Sequence, residues 1–421
     1  MHCIVVGAGL LGLTSAWFLR RHGLEVTVVE QAAGPGLGTS FANGGMLHAS
    51  QASPWNEPGV LWQALRMLGR EDSALLIRPR VLPRMLPWAW QFVRNSRPVR
   101  FHTNMARNAR LAAYSLRVLH EEFATLELRF ERAGEGTLKI YRTPAELDLA
   151  QTIALRCRDW DVRYEVLDRP GVTKLEPALT DVADALSGGI HFPDDVSGDA
   201  HLFCRELAAA CTAAGVRFSY EASATRVVLQ RGRVHGVEIA GEMVPATHCL
   251  IAAGSHTAAL ARPLGLRVPV QPVKGYSLTL PLDGWSYRPR VPVIDEHFHA
   301  AVCPLGSHLR VAGTAEFAGF DDRLTPSRLE NLYTLVSHVY PAGARIIDRG
   351  EVSHWTGFRP MSPDGVGIMG PTRIPGLHLN TGHGHLGWTM ATGAGKLVAD
   401  ALVGAATDIA LDDYAPARFG A

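Results

Sequence analysis

The sequence predicts an α/β protein in which a Rossmann-type domain is interleaved with a second, α+β domain. Three observations predict this fold class: a β-α-β pattern in the first thirty residues, a late strand that runs into glycine at residues 248–254, and two separated blocks of alternating apolar residues. No internal repeat or linker separates these parts. The two domains are therefore predicted to be interleaved rather than tandem.

The first thirty residues carry the β-α-β pattern. An apolar, β-branched run leads into the G-x-G-x-x-G sequence of residues 7–12, a helical pattern follows, and a second strand at residues 26–29 ends on Glu30. The first glycine permits a tight turn, the second lets a pyrophosphate approach the backbone, and the third lets the helix pack against the strand. The pyrophosphate lies at the helix N-terminus, and the acid binds ribose hydroxyls. This predicts a dinucleotide site, with NAD and FAD equally open. Its predicted residues are Val6, Gly7, Ala8, Gly9, Leu10, Leu11, Gly12 and Glu30.

A loop rich in glycine and small hydroxyl residues follows the second strand. Its residues 39–47 read T-S-F-A-N-G-G-M-L. Small hydroxyl side chains followed by glycines suit a segment that runs along a phosphate and then under a flat ring. We therefore expect this loop to contact the cofactor.

The stretch from residue 62 to residue 117 is predicted to be mainly helical and is strongly basic. It has eleven arginines and no lysine, against Glu71 and Asp72, and it contains the aromatic, apolar run M-L-P-W-A-W-Q-F-V at residues 85–93. Arginines around such a run are typical of an interfacial membrane contact, which here would involve residues 78–100. The interpretation that we favour is a helix that packs its aromatics into the core and leaves a solvated basic face.

Two blocks, residues 130–192 and 263–350, have the alternating pattern of strands with one helix each. The helices are predicted at residues 144–160 and 326–339. These blocks predict one α+β domain with a mixed or antiparallel sheet. The predicted division is residues 1–55, 193–262 and 351–421 for the dinucleotide-binding domain, and residues 56–192 and 263–350 for the substrate-binding domain.

Between and after these blocks the chain returns to the first domain. A helix at residues 201–214 is followed by four short β-rich runs, the last ending in A-A-G-S at residues 252–255. A further glycine-rich turn at residues 382–387 precedes a helix whose dipole could stabilise negative charge on a reduced flavin. With the loop at residues 39–47, these give three further close backbone approaches, as an enclosed FAD requires and as a NAD-dependent dehydrogenase does not.

Composition excludes several other classes. With 421 residues and 47% hydrophobic, the chain is long enough for two domains with cores, and 41 Lys+Arg against 40 Asp+Glu give no reason to expect nucleic acid. Six scattered cysteines without C-x-x-C spacing predict free thiols in a reducing compartment and no metal site. The first strand leaves no room for a secretory signal, and no apolar run approaches the ~18 residues that span a bilayer.

At this point the sequence resembles a known family, the bacterial FAD-dependent D-amino acid dehydrogenases of the D-amino acid oxidase and glycine oxidase superfamily. The resemblance covers essentially the whole chain. It rests on the fingerprint of residues 7–17 and on the segments T-S-F-A-N (39–43), S-P-W (53–55), K-G-Y-S (274–277), W-T-G-F-R-P-M (355–361) and T-G-H-G-x-L-G-W-T-M (381–390).

The resemblance implies roles for individual residues. Arg359 matches the arginine that binds the substrate carboxylate, and its planar fork suits bidentate binding. Tyr276 and His299 are expected in the pocket, although either side chain could equally be packed in the core. FAD is expected to be non-covalent, because no cysteine lies where sarcosine oxidases attach theirs. The further residues expected at the cofactor are Thr39, Ser40, Asn43, Gly44, Gly45, Met46, Ala224, Gly254, Gly384, His385, Leu386, Gly387, Trp388 and Thr389.

The implied activity is oxidative deamination of D-amino acids to 2-oxo acids and ammonia, by hydride transfer from Cα to flavin N5. Electrons would pass to a quinone or another acceptor than oxygen. The implied location is cytoplasmic, with a peripheral contact on the inner face of the bacterial inner membrane as a further expectation.

Two departures from the family pattern leave the substrate open. The chain has G-G-M-L-H at residues 44–48, closer to glycine oxidase, and His385 replaces a small hydroxyl residue. Oxidation of cyclic or secondary amino acids, such as D-proline, cis-4-hydroxy-D-proline, glycine or sarcosine, is therefore the alternative. A flavin-binding protein without turnover is a remote one.

Overall fold

The computed structural model describes residues 1–62, 69–71, 73–155, 160, 162–298 and 300–421. Strands and helices within these residues are numbered in chain order. The strands are β1 (His2–Val6), β2 (Glu25–Val29), β3 (Met46–Leu47), β4 (Leu75–Ile77), β5 (Thr137–Tyr141), β6 (Glu165–Leu167), β7 (Gly188–Phe192), β8 (Val196–Ser197), β9 (Arg217–Ser219), β10 (Ala224–Gln230), β11 (Arg233–Ile239), β12 (Glu242–Pro245), β13 (His248–Ile251), β14 (Gln271–Pro281), β15 (Val293–Asp295), β16 (Ala300–Leu305), β17 (His308–Phe317), β18 (Ser353–Met361), β19 (Ile368–Pro371) and β20 (Leu377–Thr381).

The α-helices are α1 (Leu10–Arg21), α2 (Leu82–Asn95), α3 (Pro98–Glu122), α4 (Pro144–Ala154), α5 (Arg169–Leu175), α6 (Ala200–Ala213), α7 (Thr257–Ala261), α8 (Pro326–Val339), α9 (Pro341–Ala344) and α10 (Gly387–Val403). Short 3-10 turns at Ala49–Gln51, Gly254–His256 and Gly384–Leu386 border the candidate site.

The first sheet has six strands in the order β19-β20-β13-β1-β2-β9, all parallel except β19. The apolar run of β1 lies at its centre, where Val5 pairs with Val28 on one side and Leu250 on the other. All three side chains are fully buried. A central parallel strand is covered on both faces, which explains its continuous hydrophobic sequence. Helices α1, α6 and α10 pack against this sheet or against one another.

The second sheet has nine strands and is mixed, as predicted for the α+β domain. Its order is β18-β14-β17-β16-β15-β5-β7-β6, with β4 also paired to β17. Most pairs are antiparallel, whereas β15-β5 and β17-β4 are parallel. Helix α8 covers one face through Leu332, Leu335 and Val336, which are buried in the same apolar cluster as strand residues.

Two smaller sheets complete the described architecture. Strands β10, β11 and β12 form an antiparallel sheet, and β3 pairs with β8. The pairing of Met46 with Ser197 fixes the end of the 39–47 loop against the chain as it returns to the first domain.

The predicted domain division stays a prediction, and two contacts connect its two parts. Strand β18, which follows the predicted boundary at residue 351, pairs with β14 over nine residues at the edge of the second sheet. Helix α3, which lies in the range predicted for the substrate-binding domain, packs on α10. Gly393 permits this packing, because a Cβ there would lie 2.4 Å from Ser115 Oγ.

Helix α2 carries the aromatic run of the basic stretch. Met85 and Trp88 are buried, and the Trp88 indole donates to the carbonyl of Met361 at 3.1 Å. Leu86 and Trp90 remain 63% and 62% exposed. The core-packing interpretation thus describes Met85 and Trp88 but not Leu86 and Trp90. Within the described residues, no helix is both long enough and apolar enough to cross a bilayer.

Candidate active site

A cavity of about 1170 Å³ lies between the two large sheets. It is lined by the ends of β1 and β2, the 36–48 loop, strands β14, β17 and β18, and the turns before α7 and α10. The predicted cofactor residues that line it are Val6, Gly7, Gly9, Leu10, Leu11, Glu30, Thr39, Ser40, Asn43, Gly44, Gly45, Met46, Ala224, Gly254, Gly384, His385, Gly387 and Trp388. The structure therefore brings together four segments that are remote in the sequence.

Four predicted cofactor residues lie behind this wall instead: Ala8, Gly12, Leu386 and Thr389. Gly12 supports the turn, since a Cβ there would lie 1.9 Å from the carbonyl oxygen of Gly7. Thr389 is buried, and its Oγ1 accepts a hydrogen bond from the backbone N–H of His48 at 3.1 Å. Its predicted contact with the flavin stays a prediction.

The fingerprint forms a cradle at one end of the cavity. Gly7 has φ of +108°, and a Cβ there would lie 2.6 Å from the carbonyl oxygen of Ala252. A Cβ at Gly9 would meet only Ser40 Oγ at 3.5 Å, so the backbone here faces open space. Helix α1 begins at Leu10 without a side-chain cap, which leaves its positive N-terminus to the cavity.

Glu30 lies at the end of β2 beside this cradle. Its carboxylate accepts hydrogen bonds from the N–H of Ala8 at 2.8 Å and of Ala32 at 3.0 Å. Two carboxylate oxygens offer about four acceptor positions, so acceptor capacity remains for ribose hydroxyls. The backbone bonds hold the carboxylate at the cavity edge.

The loop at residues 42–45 is anchored from two sides. The hydroxyl of Ser277 on β14 donates to the carbonyl of Ala42 at 2.7 Å, and Nη1 of Arg310 on β17 donates to the carbonyl of Asn43 at 2.9 Å. Asn43 Oδ1 accepts from the N–H of Gly45, whose φ is +73°. The second sheet thus positions the loop that lies across the cavity.

A second helix N-terminus meets the cavity at the same edge of the first sheet, because α10 follows β20, which is parallel to β1. Helix α10 starts at Gly387 without a side-chain cap, and Gly387 and Trp388 line the cavity. The Trp388 indole donates to the carbonyl of Gly198, which fixes the ring. Two glycine-presented helix ends, an acid at a strand end and an elongated cavity fit the pyrophosphate, the ribose and the ring system of FAD.

Arg359 stands apart from the cofactor residues, on β18. Its Nη1 donates to the carbonyl of Thr314 at 3.1 Å, and its Cζ lies 5.6 Å from the ring centroid of Trp55. It lines the cavity, and no carboxylate among the described residues pairs with it. Burial lowers the pKa of the guanidinium to about 10, which leaves it charged at neutral pH. A buried cation without a counter-ion is costly, so this site is prepared for an anion.

The other two predicted pocket residues have different outcomes. Tyr276 is fully buried, and its hydroxyl donates to Glu316 Oε2 at 2.6 Å, within an apolar cluster that includes Leu278 and Leu332. Its hydroxyl is thus bonded within the protein, while the residue also lines the cavity. Its predicted substrate contact stays a prediction. His299 lies outside the described residues.

Sequence reasoning assigned no role to three residues that line the same cavity as Arg359. Trp55 contacts the guanidinium, His48 lines the same cavity, and the strained Thr314 accepts from Arg359. Burial lowers the pKa of His48 to about 4, so this imidazole is neutral. Trp55 lies in the S-P-W segment of the family resemblance, and this motif could have identified it as a site residue. Nothing local in the sequence marks Thr314.

The cysteines and histidines give no other centre among the described residues. Cys3, Cys204, Cys211, Cys249 and Cys303 are free and buried. No group of three or more His, Cys, Asp or Glu side chains in the described ranges is arranged to hold a metal ion.

A family model described as FAD dependent oxidoreductase (DAO) matches residues 2–401. A D-amino acid dehydrogenase of Methylobacterium nodulans is 42% identical over 420 residues, covering 100% of this chain and 99% of that protein. A D-amino acid dehydrogenase of Rhizobium johnstonii is 40% identical and covers 100% of both chains. Among solved structures, L-proline dehydrogenase from P. horikoshii has a TM-score of 0.78 at 16% identity, covering 99% of this chain and 97% of that one. The last likeness confirms the predicted fold.

Proposed function

The chain belongs to the family of FAD-dependent oxidoreductases named DAO, and from this premise we propose that it is a D-amino acid dehydrogenase. The full-length relatives at 40–42% identity carry that name. The observation that carries the proposal is Arg359, whose half-buried side chain lines the cavity and whose guanidinium has no carboxylate partner among the described residues. An α-carboxylate supplies the missing counter-ion through charge-assisted hydrogen bonds.

Arg359 would set the orientation of the substrate. One end of its fork is already held by the carbonyl of Thr314, and the flat ring of Trp55 restricts a second side. A carboxylate bound to the free end leaves Cα free to point along the cavity toward the loop at residues 42–46. Positioning of this kind supplies much of the rate enhancement when little acid-base chemistry is needed.

When bound, FAD would supply the acceptor for the two electrons of a hydride that leaves Cα. The amine reacts in its neutral form: its lone pair forms the C=N bond as the hydride leaves, so the product is the protonated imino acid. Water then adds to the imine and ammonia leaves, which gives the 2-oxo acid. The apolar side chains Met85, Trp88 and Phe317, which line the cavity, would limit water during the first step.

An anaerobic flavin-bleaching screen tests this proposal. The purified yellow protein is mixed with D-amino acids, their L-enantiomers, glycine, sarcosine and D-proline, and the loss of flavin absorbance is followed. We expect faster bleaching by a primary D-amino acid than by its enantiomer. Faster bleaching by D-proline, cis-4-hydroxy-D-proline or sarcosine would select the alternative for cyclic or secondary amines. No bleaching by any compound would leave a flavin-binding protein without turnover.

We further propose that the electrons pass to a quinone and that α2 brings the protein to a membrane surface. Four side chains form a stripe along this helix, Leu82, Leu86, Trp90 and Val93, and all four are exposed. Residues 78–100 contain six arginines and no acid. Val93 also lines the cavity, so the stripe borders the site. An apolar stripe with a basic surround is typical of interfacial helices on anionic lipid.

One measurement tests the membrane contact, and a second tests the electron acceptor. Sedimentation with phosphatidylglycerol vesicles, against phosphatidylcholine vesicles, should recover the wild type and not the double variant Leu86→Glu, Trp90→Glu. Leu149→Glu is the matched control, because Leu149 is equally exposed on α4. Equal sedimentation of all variants would refute the contact. Hydrogen peroxide formed at the rate of dye reduction would identify an oxidase instead.

A further inference from the structure

The ring of Trp55 links two charged or polar groups of the pocket. Arg359 Cζ lies 5.6 Å from its centroid, and the imidazole of His385 stacks on it with centroids 5.3 Å apart and planes 20° apart. Both neighbours of Trp55 hold it in place. Asn56 donates to the carbonyl of Pro363 at 3.2 Å, and Pro54 packs on Gly365, where a Cβ would lie 2.4 Å away. Trp55 is thus fixed to the turn that follows the strand of Arg359.

His385 faces the cavity from the glycine-rich turn before α10. It is partly accessible and lines the cavity. Burial, followed by the charges of His48 and Arg359, lowers its pKa to about 3. The imidazole is therefore neutral at physiological pH and keeps one nitrogen as a hydrogen-bond acceptor. A neutral ring offers a lone pair to an N–H donor, which a protonated ring would not.

The chemistry of an α-amino acid places an amine two bonds from the carboxylate carbon. With the carboxylate on Arg359, this amine must lie within a few ångströms of the guanidinium. Trp55 and His385 line the same cavity as Arg359, and the Trp55 ring contacts both side chains. A ring nitrogen of the neutral His385 is an acceptor on this side of the cavity.

We propose that His385 is the substrate-binding residue that accepts a hydrogen bond from the α-amine while Arg359 holds the α-carboxylate. This inference rests on the proposed function and deepens it, because it gives each of the two groups shared by all α-amino acids its own partner. Two fixed points leave Cα one orientation toward the cofactor loop. Trp55 acts as a positioning residue, because its ring contacts both Arg359 and His385.

The test compares a substrate with the same molecule lacking its amine. For D-alanine this analogue is propionate, measured as a competitive inhibitor of the holoenzyme. His385→Leu should lower kcat/KM for D-alanine by about tenfold, since the hydrogen bond that orients the amine is lost, and should change propionate inhibition by less than twofold. His385→Asn, which keeps a side-chain acceptor, should recover kcat/KM to within about threefold of the wild type.

Each other outcome decides the matter. If His385→Leu weakens propionate inhibition as much as it lowers kcat/KM for D-alanine, His385 only shapes the cavity wall and the proposal is overturned. An unchanged kcat/KM in His385→Leu would overturn it as well. His338→Leu, an exposed histidine on α8, is the control for a general effect of the substitution. If D-alanine is not oxidised, the best substrate of the bleaching screen and its own deamino analogue take its place. A wild type that no amino acid reduces would overturn the proposed function itself.

Discussion

Arg359 donates through Nη1 to the carbonyl of Thr314, 3.1 Å away, at a point where Thr314 adopts a left-handed backbone with φ of +55°. The register between β14 and β17 shifts here, with Lys274 opposite Glu316 but Tyr276 opposite Gly313. The extra residue forms a β-bulge, which redirects a carbonyl out of the ladder. A β-branched residue with positive φ is strained, and such strain persists where the surrounding structure imposes it. The bulge therefore fixes the arginine that we assign to substrate binding.

Thr314→Gly should separate strain from function. Glycine adopts this backbone freely, so removal of a cost of roughly 1–2 kcal/mol is partly offset by roughly 0.5–1 kcal/mol of backbone entropy. The free energy of unfolding should rise by up to about 1 kcal/mol, while KM should rise a few-fold because the carbonyl that holds Arg359 is less restrained. Urea unfolding and steady-state kinetics measure both quantities.

The matched control for that variant is Ala240→Gly. Ala240 also has positive φ, +50°, in the turn between β11 and β12, and it does not line the cavity. We expect a similar gain in stability with unchanged KM. A lower stability of Thr314→Gly together with an unchanged KM would contradict the argument.

Arg359→Gln should impair catalysis without harming the fold. Truncating one partner of a buried charge pair costs about 2–5 kcal/mol, so kcat/KM should fall by roughly 30- to 5000-fold, chiefly through KM. The ligand-free variant should melt no lower than the wild type, because it no longer buries an unpaired cation. Dye-coupled kinetics and thermal melting test the two parts.

Arg349→Gln serves as the control for Arg359→Gln, because Arg349 is exposed and pairs with Glu330 at 2.8 Å. Its kinetics should match the wild type. A wild-type kcat/KM for Arg359→Gln would remove the main support for the proposed function.

Local sequence was sufficient for the dinucleotide cradle and insufficient for the substrate pocket. Residues 7–12 form their turn from neighbours in the chain, so the glycine spacing alone predicts the geometry. The contact between Trp55 and Arg359 joins residues about three hundred positions apart and depends on which sheet β18 enters. An apolar strand pattern shows that a strand is buried but does not identify its partner strands. The sequence therefore could not show that β18 pairs with β14.

The bulge at Thr314 illustrates the same limit. The sequence of β17 reads H-L-R-V-A-G-T-A-E-F, and its isolated Gly313 is a signal of a bulge. The left-handed residue, however, is the threonine that follows this glycine. Positive φ at a β-branched residue opposes local preference. Only the tertiary pairing of β17 with β14 imposes it, so the sequence could not predict it.

Ser277→Ala should weaken cofactor retention. The Ser277 hydroxyl donates to the carbonyl of Ala42 at 2.7 Å in a buried position, and this bond holds the loop that lies across the cavity. Losing one such bond costs about 1 kcal/mol, so the Kd for FAD should rise roughly fivefold. Titration of the apoprotein with FAD, followed by flavin fluorescence, measures it.

Ser337→Ala provides the comparison for Ser277→Ala. The Ser337 hydroxyl donates to the carbonyl of Tyr333 within α8, away from the cavity. Its Kd for FAD should equal that of the wild type. Equal Kd values for both variants would indicate that the loop does not depend on its anchor from the second sheet.

Asp195 should give the protein a pH-dependent stability. Its carboxylate is fully buried and accepts hydrogen bonds from the hydroxyls of Ser50 and Thr137, both at 2.6 Å. Burial outweighs these bonds and raises the pKa to about 6, above the ordinary value of an aspartate. The folded state thus holds a proton that the unfolded state releases between about pH 4 and pH 6. The stability contributed by the protonated form is complete below pH 4 and is lost as the pH rises through 6.

Asp195→Asn mimics the protonated form and should remove this dependence. The slope of the unfolding free energy against pH between 4 and 6 should change by up to one proton per molecule, and stability at pH 7 should not fall. Asp194→Asn is the opposite case: Arg163 lowers the pKa of Asp194, so that carboxylate stabilises the fold above its unfolded pKa and loses this effect as the pH falls. Urea unfolding at half-unit pH steps distinguishes the two. An unchanged slope in Asp195→Asn would mean that Asp195 is ionised across the range and that its hydrogen bonds outweigh its burial.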